Sequence, residues 1–533
     1  MRLRRLLVVS VLAVVSIGTS AGGARAAPGA ICTTPPTSDT NVNTDCETHY
    51  HFEFGDVDLP AEETTIAVDP TDPSNMIGSA KDKQFKLTKK GKPAETELAR
   101  AHVTSDGGQT WTTYAIGFPG YRFTTDPSIA FDDAGTAYLG VLALPTSGDP
   151  SIVSDFLVVR SEDGGKTWSK PVVASERPGE FRGASQLNDN SRLAAWGNGN
   201  VVVVWLAYAH DRSGRTIRGP VVDAVSHDGG ATWSSPAKIS SSADFCVGFK
   251  GGDACNQNVN DAVAVSPAGN VVVVFTNTTQ FGAEGYQTRT KRMAVQVDPD
   301  TGTRIGGPFV IGRSFEGIGT HDYPVSQAGF AKGSPTIHDS QILIGGQGNV
   351  AADPKDPQHF AAVWYDDRNA PHPVAINPYD AVTNTDVIVS QSFDGGSTWS
   401  TPAAIEYPGD QFMAWGAYDG QGRLRIGYYD RSYDPDNHEF GYTLATETQP
   451  GSLKFTNLQV TTELSNPTRR SEPFYRARTR DPDFPHPSSF IGDYTPVAAT
   501  PTGVVAYWTD LRRHACILDE CGHGQDAYFA SVP

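Results

Sequence analysis

The chain has 533 residues, of which 19% are charged and 10% aromatic, and it contains 54 glycines and 37 prolines. This composition favours an all-β repeat protein, in which stacked units share one continuous structure, over separate domains of ordinary size. The net charge of −18 argues against nucleic acid as a partner, because phosphate binding requires a positive surface. A local cluster of arginines would still allow an anionic small ligand.

The first residues are typical of an export signal. Three arginines within the first five residues precede an apolar run of about a dozen residues, and Ala24-Arg25-Ala26 offers a cleavage site. A bilayer-spanning helix needs roughly 18 or more apolar residues, which disfavours a membrane anchor. We expect a signal peptide over 1–26 and a secreted, extracellular, monomeric protein without membrane contact after cleavage.

The six cysteines form three close pairs in the sequence: Cys32 and Cys46, Cys246 and Cys255, and Cys516 and Cys521. An even count in an exported protein favours disulfides. Each pair would close a short loop, the first within an N-terminal extension over 27–48. A zinc site is disfavoured, because the CxxC or His-spaced pattern is missing.

One motif with the pattern S/T-x-D-G-G-x-T-W occurs four times, at 104–111, 161–168, 226–233 and 392–399. Asp-Gly-Gly supplies the positive-φ positions of a hairpin turn, and the carboxylate and hydroxyl groups can bond the turn amides. The tryptophan covers the base of the hairpin. The four copies predict four equivalent turns in a repeated β-structure.

Seven pairs of alternating apolar segments accompany these turns, within 64–79, 127–141, 192–208, 262–277, 350–366, 412–430 and 495–510. The turns follow units one, two, three and five. Because four strands per unit make a propeller blade, we predict a seven-bladed β-propeller of four-stranded antiparallel blades over 49–533. A six-bladed ring is the alternative, if one unit is an insertion.

The last unit is one strand short, while the segment 49–54 has no partner of its own. We predict that this N-terminal strand completes the last blade and closes the ring. Closure removes an edge that would otherwise invite aggregation.

With these repeats the chain resembles the Asp-box (BNR-repeat) sialidase-like superfamily, which includes secreted bacterial exo-α-sialidases and other polysaccharide-active enzymes. The resemblance spans essentially the whole mature chain. In that superfamily the Asp boxes lie in peripheral turns, away from the catalytic face. They therefore indicate the fold but not the chemistry.

If the boxes join third and fourth strands, the opposite face is built from the residues before each first strand and after each second strand. These positions are mostly acidic, with several arginines, which suits a carbohydrate ligand; Asp–Arg pairing between neighbouring blades is the structural alternative. Before the first strands stand Glu62, Glu63, Arg122, Asp126, Asp189, Asp261, Gln347, Asn349, Asp493 and Tyr494. After the second strands stand Lys81, Asp82, His210, Asp211, Arg212, Asp366, Asp367, Arg368, Asp430, Arg431, Asp510, Arg512 and Arg513.

Two long connections should cross the same face. The first, 313–345, carries His321, and the second, 461–490, is rich in arginine. Guanidinium groups bind carboxylates bidentately, so these arginines indicate contact with an anion or with the protein's own acids.

The resemblance implies a tyrosine nucleophile primed by a glutamate, an aspartate acid/base, and arginines that hold the sugar carboxylate. On this sequence the nucleophile candidate is Tyr494, the primer is Glu63, and the acid/base is Asp126 or Asp82. The substrate-binding candidates are Arg368, Arg431, Arg512, Asp493, Arg212 and His321. The Arg-Ile-Pro-like element of true sialidases is not found in the first blade.

We therefore expect a glycoside hydrolase that acts on a terminal or acidic sugar. A polysaccharide lyase on uronic-acid polymers is a variant, in which His321, His210 or Tyr494 would serve as the base. A non-catalytic propeller that binds carbohydrate or protein is the alternative from another class. No nucleotide-binding glycine-rich loop is present, and we predict neither a cofactor nor a metal site.

Overall fold

The computed structural model describes residues 30–34, 36–45, 50–52, 55–57, 61–87, 93–146, 154–175, 185–211, 216–248, 254–278, 290–315, 337, 342, 345–370, 383–467, 491–517 and 520–533. The predicted signal peptide, Arg212, His321 and the arginine-rich segment 468–490 lie outside these residues. Nowhere in the described ranges is there a helix with the length and apolar character needed to cross a membrane.

Seven four-stranded antiparallel blades form a β-propeller, which confirms the predicted fold and the count of seven. The first blade contains β5 (Ala61–Val68), β6 (Met76–Leu87), β8 (Arg100–Thr104) and β9 (Thr112–Ala115). The second contains β10 (Tyr121–Phe131), β11 (Ala137–Pro145), β12 (Asp155–Ser161) and β13 (Val172–Val173). The third contains β14 (Ser185–Trp196), β15 (Asn200–His210), β17 (Val221–Ser226) and β18 (Ala237–Lys238).

The fourth blade contains β19 (Asn258–Val265), β20 (Val271–Asn277), β21 (Lys291–Val297) and β22 (Arg304–Arg313). The fifth contains β23 (Asn349–Ala352), β24 (Phe360–Asp366), β25 (Asp386–Ser392) and β26 (Ala403–Ile405). The sixth contains β27 (Gln411–Tyr418), β28 (Leu424–Asp430), β29 (Gly441–Glu447) and β30 (Phe455–Gln459). The seventh is β31 (Val497–Ala499), β32 (Val504–Asp510), β35 (Asp526–Val532) and β2 (Val42–Asn43).

Further strands extend this ring. β1 (Ala30–Thr33) pairs with β9, β16 (Thr216–Arg218) pairs with β15, and β7 (Pro93–Glu97) joins the first two blades into one ten-stranded sheet. Two hairpins are formed by β3 (Tyr50–Phe52) with β4 (Gly55–Val57), and by β33 (His514–Ile517) with β34 (Glu520–His523).

The core lies between the blades. Because each blade is covered by a neighbour on both faces, its second strand is apolar along nearly its whole length, and β15 and β20 are buried at almost every position. Aromatic pairs such as Phe156 with Trp205, 6.0 Å apart between ring centroids, join neighbouring blades. The blades are therefore held in place by side-chain packing across each interface.

The ring closes through the N-terminal segment, but with a different strand from the one predicted. Val42–Asn43 pairs with the last strand, in the register Val42 to Phe529. The described part of the segment 49–54 instead pairs with Gly55–Val57. Sequence periodicity could not indicate Val42–Asn43, because a strand of two residues is too short to show alternation.

The four predicted turns share one hydrogen-bond pattern. In the first, Thr104 Oγ1 donates to Asp106 Oδ1 (2.7 Å) and Thr110 Oγ1 donates to Asp106 Oδ2 (2.6 Å). The glycines Gly107 and Gly108 have φ angles of 74° and 94°. The turns at 161–168, 226–233 and 392–399 repeat these bonds. All four join third and fourth strands, so they lie at the end of each blade opposite the start of its first strand.

One predicted disulfide is fully described, between Cys246 and Cys255. Cys32 is also disulfide-bonded, but its predicted partner Cys46 lies outside the described residues. Cys516 and Cys521 are register partners across the β33–β34 hairpin, and their side chains are not among those described.

A polar network fills the seam between the last and the first blade. The Tyr507 hydroxyl is 2.7 Å from Thr44 Oγ1, just after β2, and 2.7 Å from His102 Nδ1 in the first blade. A Cβ at Gly78 would lie 2.6 Å from the Tyr507 ring, so glycine is required there. His102 Nε2 in turn is 3.4 Å from Asp82 Oδ2. The network ties the closing strand to both blades.

We expect the Tyr507→Phe variant to lower the free energy of unfolding by about 1–3 kcal/mol, because it leaves buried Thr44 and His102 short of a partner. Chemical denaturation measures this loss. The matched control is Tyr114→Phe, a half-buried tyrosine whose hydroxyl bonds none of the described residues. Equal effects of the two variants would contradict the role of the Tyr507 hydroxyl.

Three ionisable groups at the seam hold protons more tightly in the folded chain. Burial raises the pKa of Asp45, and it raises the pKa of Asp82 to about 6. Burial opposes the charge of His102, but the neighbouring Asp82 and Asp45 outweigh it and raise its pKa. Groups with a raised folded pKa stabilise the fold at low pH, and this contribution disappears as the pH rises through the folded value.

The seam should therefore weaken as the pH rises. Asp82 contributes to this weakening between the unfolded pKa of 3.8 and its folded pKa of about 6, and His102 contributes above the ordinary histidine pKa of 6.5. Asp82→Asn removes one of these titrations. We expect the melting temperature of this variant, relative to the unchanged protein, to rise with pH across that window. The control is Asp300→Asn, at an exposed turn, whose melting temperature should change with pH in parallel with that of the unchanged protein. A melting-temperature curve for Asp82→Asn that is also parallel would refute the prediction.

Candidate functional site

The first strands of five blades carry the same backbone irregularity near their central ends. Each has a register shift against its second strand, and at each shift a non-glycine residue adopts a left-handed φ between 50° and 57°. The five residues are Glu63, Asp126, Asn190, Asn260 and Met413. Such bulges redirect a side chain, and strained backbone is concentrated at functional sites.

Contacts between distant blades show that these strand ends meet on the propeller axis. The Arg192 guanidinium of the third blade lies 3.9 Å from the centroid of the Tyr494 ring, which precedes the seventh blade, and 5.8 Å from the Trp415 ring of the sixth. Gln347, which precedes the fifth blade, donates to Asn190 Oδ1 of the third (3.0 Å). These contacts define a central cluster on the face opposite the four turns.

Glu63 is the most firmly held carboxylate of this cluster. Its Oε1 accepts a hydrogen bond from Lys81 Nζ (3.3 Å), while its Oε2 accepts from Thr125 Oγ1 (2.9 Å) and from the Asp126 amide (3.2 Å). Burial opposes its charge, but Lys81, Thr125 and the Asp126 amide outweigh it, so its pKa lies below the ordinary value. A Cβ at Gly492 would lie 2.5 Å from the Glu63 amide nitrogen, so Tyr494 and Glu63 belong to closely packed segments.

The other acids of the cluster have the opposite shift. Burial, together with the charges of Glu63 and Asp189, raises the pKa of Asp126 well above its ordinary value. Burial first, and then neighbouring charge, raises the pKa of Asp493 to about 7, and burial raises that of Asp261 to about 8. The pKa of Asp126 is thus raised and that of Glu63 is lowered, and carboxyl groups whose pKa values are pushed apart suit acid and base roles.

Three of the four predicted catalytic residues thus come together at the axis: Glu63, Asp126 and Tyr494. Burial raises the pKa of Tyr494 well above its ordinary value, and the charge of Glu63 adds to this effect. The Tyr494 hydroxyl is buried and makes no hydrogen bond to any described residue. The electrostatic coupling of Asp493 to Glu63 places it near the same cluster.

The fourth predicted catalytic residue, Asp82, belongs to a different site. Its carboxylate faces His102 within the seam between the first and last blades. Asp82 and Lys81 are adjacent in β6, and successive side chains of a strand point to opposite sides. This alternation sends Lys81 to the central cluster and Asp82 to the blade interface.

The structure does not bring the three predicted substrate-binding arginines together through their described contacts. Arg368 and Arg512 each bind bidentately to an aspartate two residues earlier, Asp366 and Asp510, at 2.8 to 2.9 Å. Arg431 Nη1 is 3.4 Å from Asp410 Oδ2. These arginines pair with the protein's own acids, but the pairs lie within single blades, whereas the structural alternative placed them between neighbouring blades.

Sequence reasoning missed two residues of the central cluster, Arg192 and Trp415, and left Lys81 in the general polar set. Arg192 is only 4% exposed, and it lies where β14 changes from mostly polar residues to the apolar run 193–196. A charged residue at the start of this apolar run was the available signal. The described residues contain no group of three or more His, Cys, Asp and Glu side chains arranged to hold a metal ion.

Comparison with known proteins yields similar architectures only. No protein-family model matches the chain, and no curated protein matches its sequence. A Dyadobacter fermentans protein of unknown function is 12% identical, with a TM-score of 0.42, and the match covers 92% of this chain and 99% of that one.

Two enzymes are among the other similar structures. A polysaccharide lyase of the ulvan lyase family is 12% identical, with a TM-score of 0.40 and coverage of 75% of this chain and 81% of that one. A mutant Trypanosoma rangeli sialidase is 15% identical, with a TM-score of 0.41 and coverage of 79% and 59%. At these scores we base no functional conclusion on the similarity.

Proposed function

We propose that this chain is a secreted carbohydrate-active enzyme, a glycoside hydrolase that cleaves a terminal or acidic sugar at the central end of the propeller. The observation that carries the proposal is the pair formed by Glu63 and Asp126. Glu63 is fixed as a carboxylate by three donors, and one of these is the amide of Asp126 itself. Both residues are buried and have strained, left-handed backbone.

The pair supplies the two functions that glycoside hydrolysis needs. Neutral Asp126 donates its proton to the glycosidic oxygen as the bond to the leaving group breaks. Ionised Glu63 attacks the anomeric carbon to give a covalent glycosyl intermediate, or stabilises the positive charge that develops there. Water then attacks that carbon and gives a proton to Asp126, which restores both groups. The opposite directions of their pKa shifts keep one group protonated and the other charged at the same pH.

Arg192 is the cation that would receive an acidic sugar. Its Nε and Nη2 atoms are buried and have no hydrogen-bond partner among the described residues, while its Nη1 donates to the Ser191 carbonyl. A buried guanidinium with two free donors gains most from a carboxylate or another oxyanion. A sugar acid would satisfy both donors at once.

The role of Tyr494 differs between the Glu63–Asp126 mechanism proposed here and the tyrosine-nucleophile mechanism that the family resemblance implies. A tyrosine nucleophile would need Glu63 as its primer, yet the described bonds of Glu63 go to Lys81, Thr125 and Asp126. The stacking of Arg192 on Tyr494 also favours a second candidate, a uronate lyase, in which Arg192 neutralises the carboxylate and Tyr494 moves the proton.

The test is an assay of the purified protein against neutral, sialylated and uronate-containing glycans. We expect hydrolysis of an acidic glycan, and we expect Asp126→Asn and Glu63→Gln each to lower kcat by about 10²–10⁴-fold, the usual contribution of a general acid or base. Asp300→Asn, at an exposed turn on the opposite face, is the control and should keep full activity.

The products and Tyr494→Phe distinguish the alternatives. Loss of hydrolysis in both Tyr494→Phe and Glu63→Gln would favour the tyrosine route, because Glu63 primes the tyrosine in that route, whereas full hydrolysis by Tyr494→Phe would exclude it. An unsaturated uronate, detected by ultraviolet absorbance, would identify a lyase. Glycan binding without turnover would overturn the enzymatic proposal in favour of a binding propeller.

A further inference from the structure

Lys81 is a buried cation at the central end of the first blade. It is 8% exposed and is the register partner of Glu62 across β5 and β6. Its Nζ lies 3.3 Å from Glu63 Oε1 and 3.6 Å from Glu62 Oε1. The ammonium group thus stands between two adjacent carboxylates of the neighbouring strand.

The charge balance of the cluster makes this position important. Its described acids are Glu62, Glu63, Asp126, Asp189, Asp261 and Asp493, and the cations that act on them are Lys81 and Arg192. Arg192 stacks on Tyr494. Lys81 is the cation with the largest effect on Glu63.

Both oxygens of Glu63 are consequently fixed. Lys81 holds Oε1, and Thr125 and the Asp126 amide hold Oε2, so the carboxylate bridges the first and second blades. Removal of one partner from a buried ion pair leaves an uncompensated charge, which strongly favours the neutral form of the group that remains. Without Lys81, Glu63 would compete with Asp126 for a proton.

We propose that Lys81 is a positioning residue for the reaction proposed above: its ammonium group holds Glu63 as an oriented anion, so that the proton of the pair stays on Asp126. The reaction itself rests on the proposed function. The stabilisation of the Glu63 anion by Lys81 is a property of the folded chain, and it can be measured without substrate.

The first experiment follows thermal unfolding against pH without substrate. In the unchanged protein Glu63 has a lowered pKa, so it stabilises the fold above its unfolded value of 4.5 and loses this contribution as the pH falls through its folded pKa. In Lys81→Met the buried, unpaired carboxylate should instead destabilise the fold as the pH rises. We expect the deficit in melting temperature of Lys81→Met to widen from about pH 4 to about pH 7.

Three comparisons make this result specific. Lys81→Arg retains the charge and should recover most of the melting temperature that Lys81→Met loses. Lys170→Met, at an exposed lysine, should show no deficit. In a Glu63→Gln background, Lys81→Met should lose most of its pH dependence, because double-mutant cycles isolate the coupling between two sites. A deficit of constant size at every pH, or one unchanged by Glu63→Gln, would overturn the proposal.

The second experiment uses the pH–rate profile on a glycan that the protein hydrolyses. The acidic limb of kcat/KM should report ionisation of Glu63 and should move upward by about 1–3 pH units in Lys81→Met, the usual effect of a close opposite charge. Lys81→Arg should restore it. If Lys81→Met does not fold, Lys81→Gln takes its place, because it keeps a hydrogen-bond donor but removes the charge, and the acidic limb should again move upward.

These outcomes separate the two proposals. Without turnover of any glycan the proposed function fails, while the unfolding experiment still decides the role of Lys81. An active protein whose acidic limb stays in place in Lys81→Met, or in Lys81→Gln where that variant is needed, refutes the role of Lys81 and leaves the function standing.

Discussion

Ring closure is the constraint on which the rest of the propeller depends. The seventh blade has its fourth strand only when Val42–Asn43 pairs with β35, and the same seam adjoins the candidate site. The Ala61 amide donates to the Gln525 carbonyl (2.8 Å), and Thr64 Oγ1 donates to the Tyr507 carbonyl (3.0 Å). Glu63 lies between these two contacts, so its position is set by the blade on either side. A loosened seam would therefore be expected to displace Glu63, and with it the candidate catalytic pair.

The central cluster is built at the expense of local backbone energy. A non-glycine residue in the left-handed region costs of order 1–3 kcal/mol, and five first strands contain one at equivalent places. Burial of the long apolar second strands between blades stabilises the ring enough to impose these conformations. The bulge shifts the strand register by one position, which turns polar side chains toward the axis while the rest of the strand stays in the core.

Charge is distributed unequally between the two ends of the blades. At the turns, burial opposes the charge of each aspartate, but hydrogen bonds from amides and hydroxyls outweigh it, stabilise the carboxylate and lower its pKa. At the axis, acids outnumber cations, so burial and mutual repulsion raise the pKa of most of them. Glu63 departs from this rule because Lys81 and two further donors hold it. This contrast separates Glu63, whose pKa is lowered, from four neighbouring aspartates whose pKa values are raised.

The sequence by itself determined the repeat: seven units, four Asp-Gly-Gly turns between third and fourth strands, and the face on which the polar residues collect. These features are local, since turn chemistry and strand alternation are decided by residues close together in the chain. It also placed Glu63, Asp126 and Tyr494 on that face. Tertiary structure alone decided which residues meet: Arg192 reaches Tyr494 across the axis, Arg368 and Arg512 bind the aspartates of their own blades, and Val42–Asn43 closes the ring. These partners are brought together by the curvature of the ring and by one-residue bulges, and neither leaves a periodic trace in the sequence.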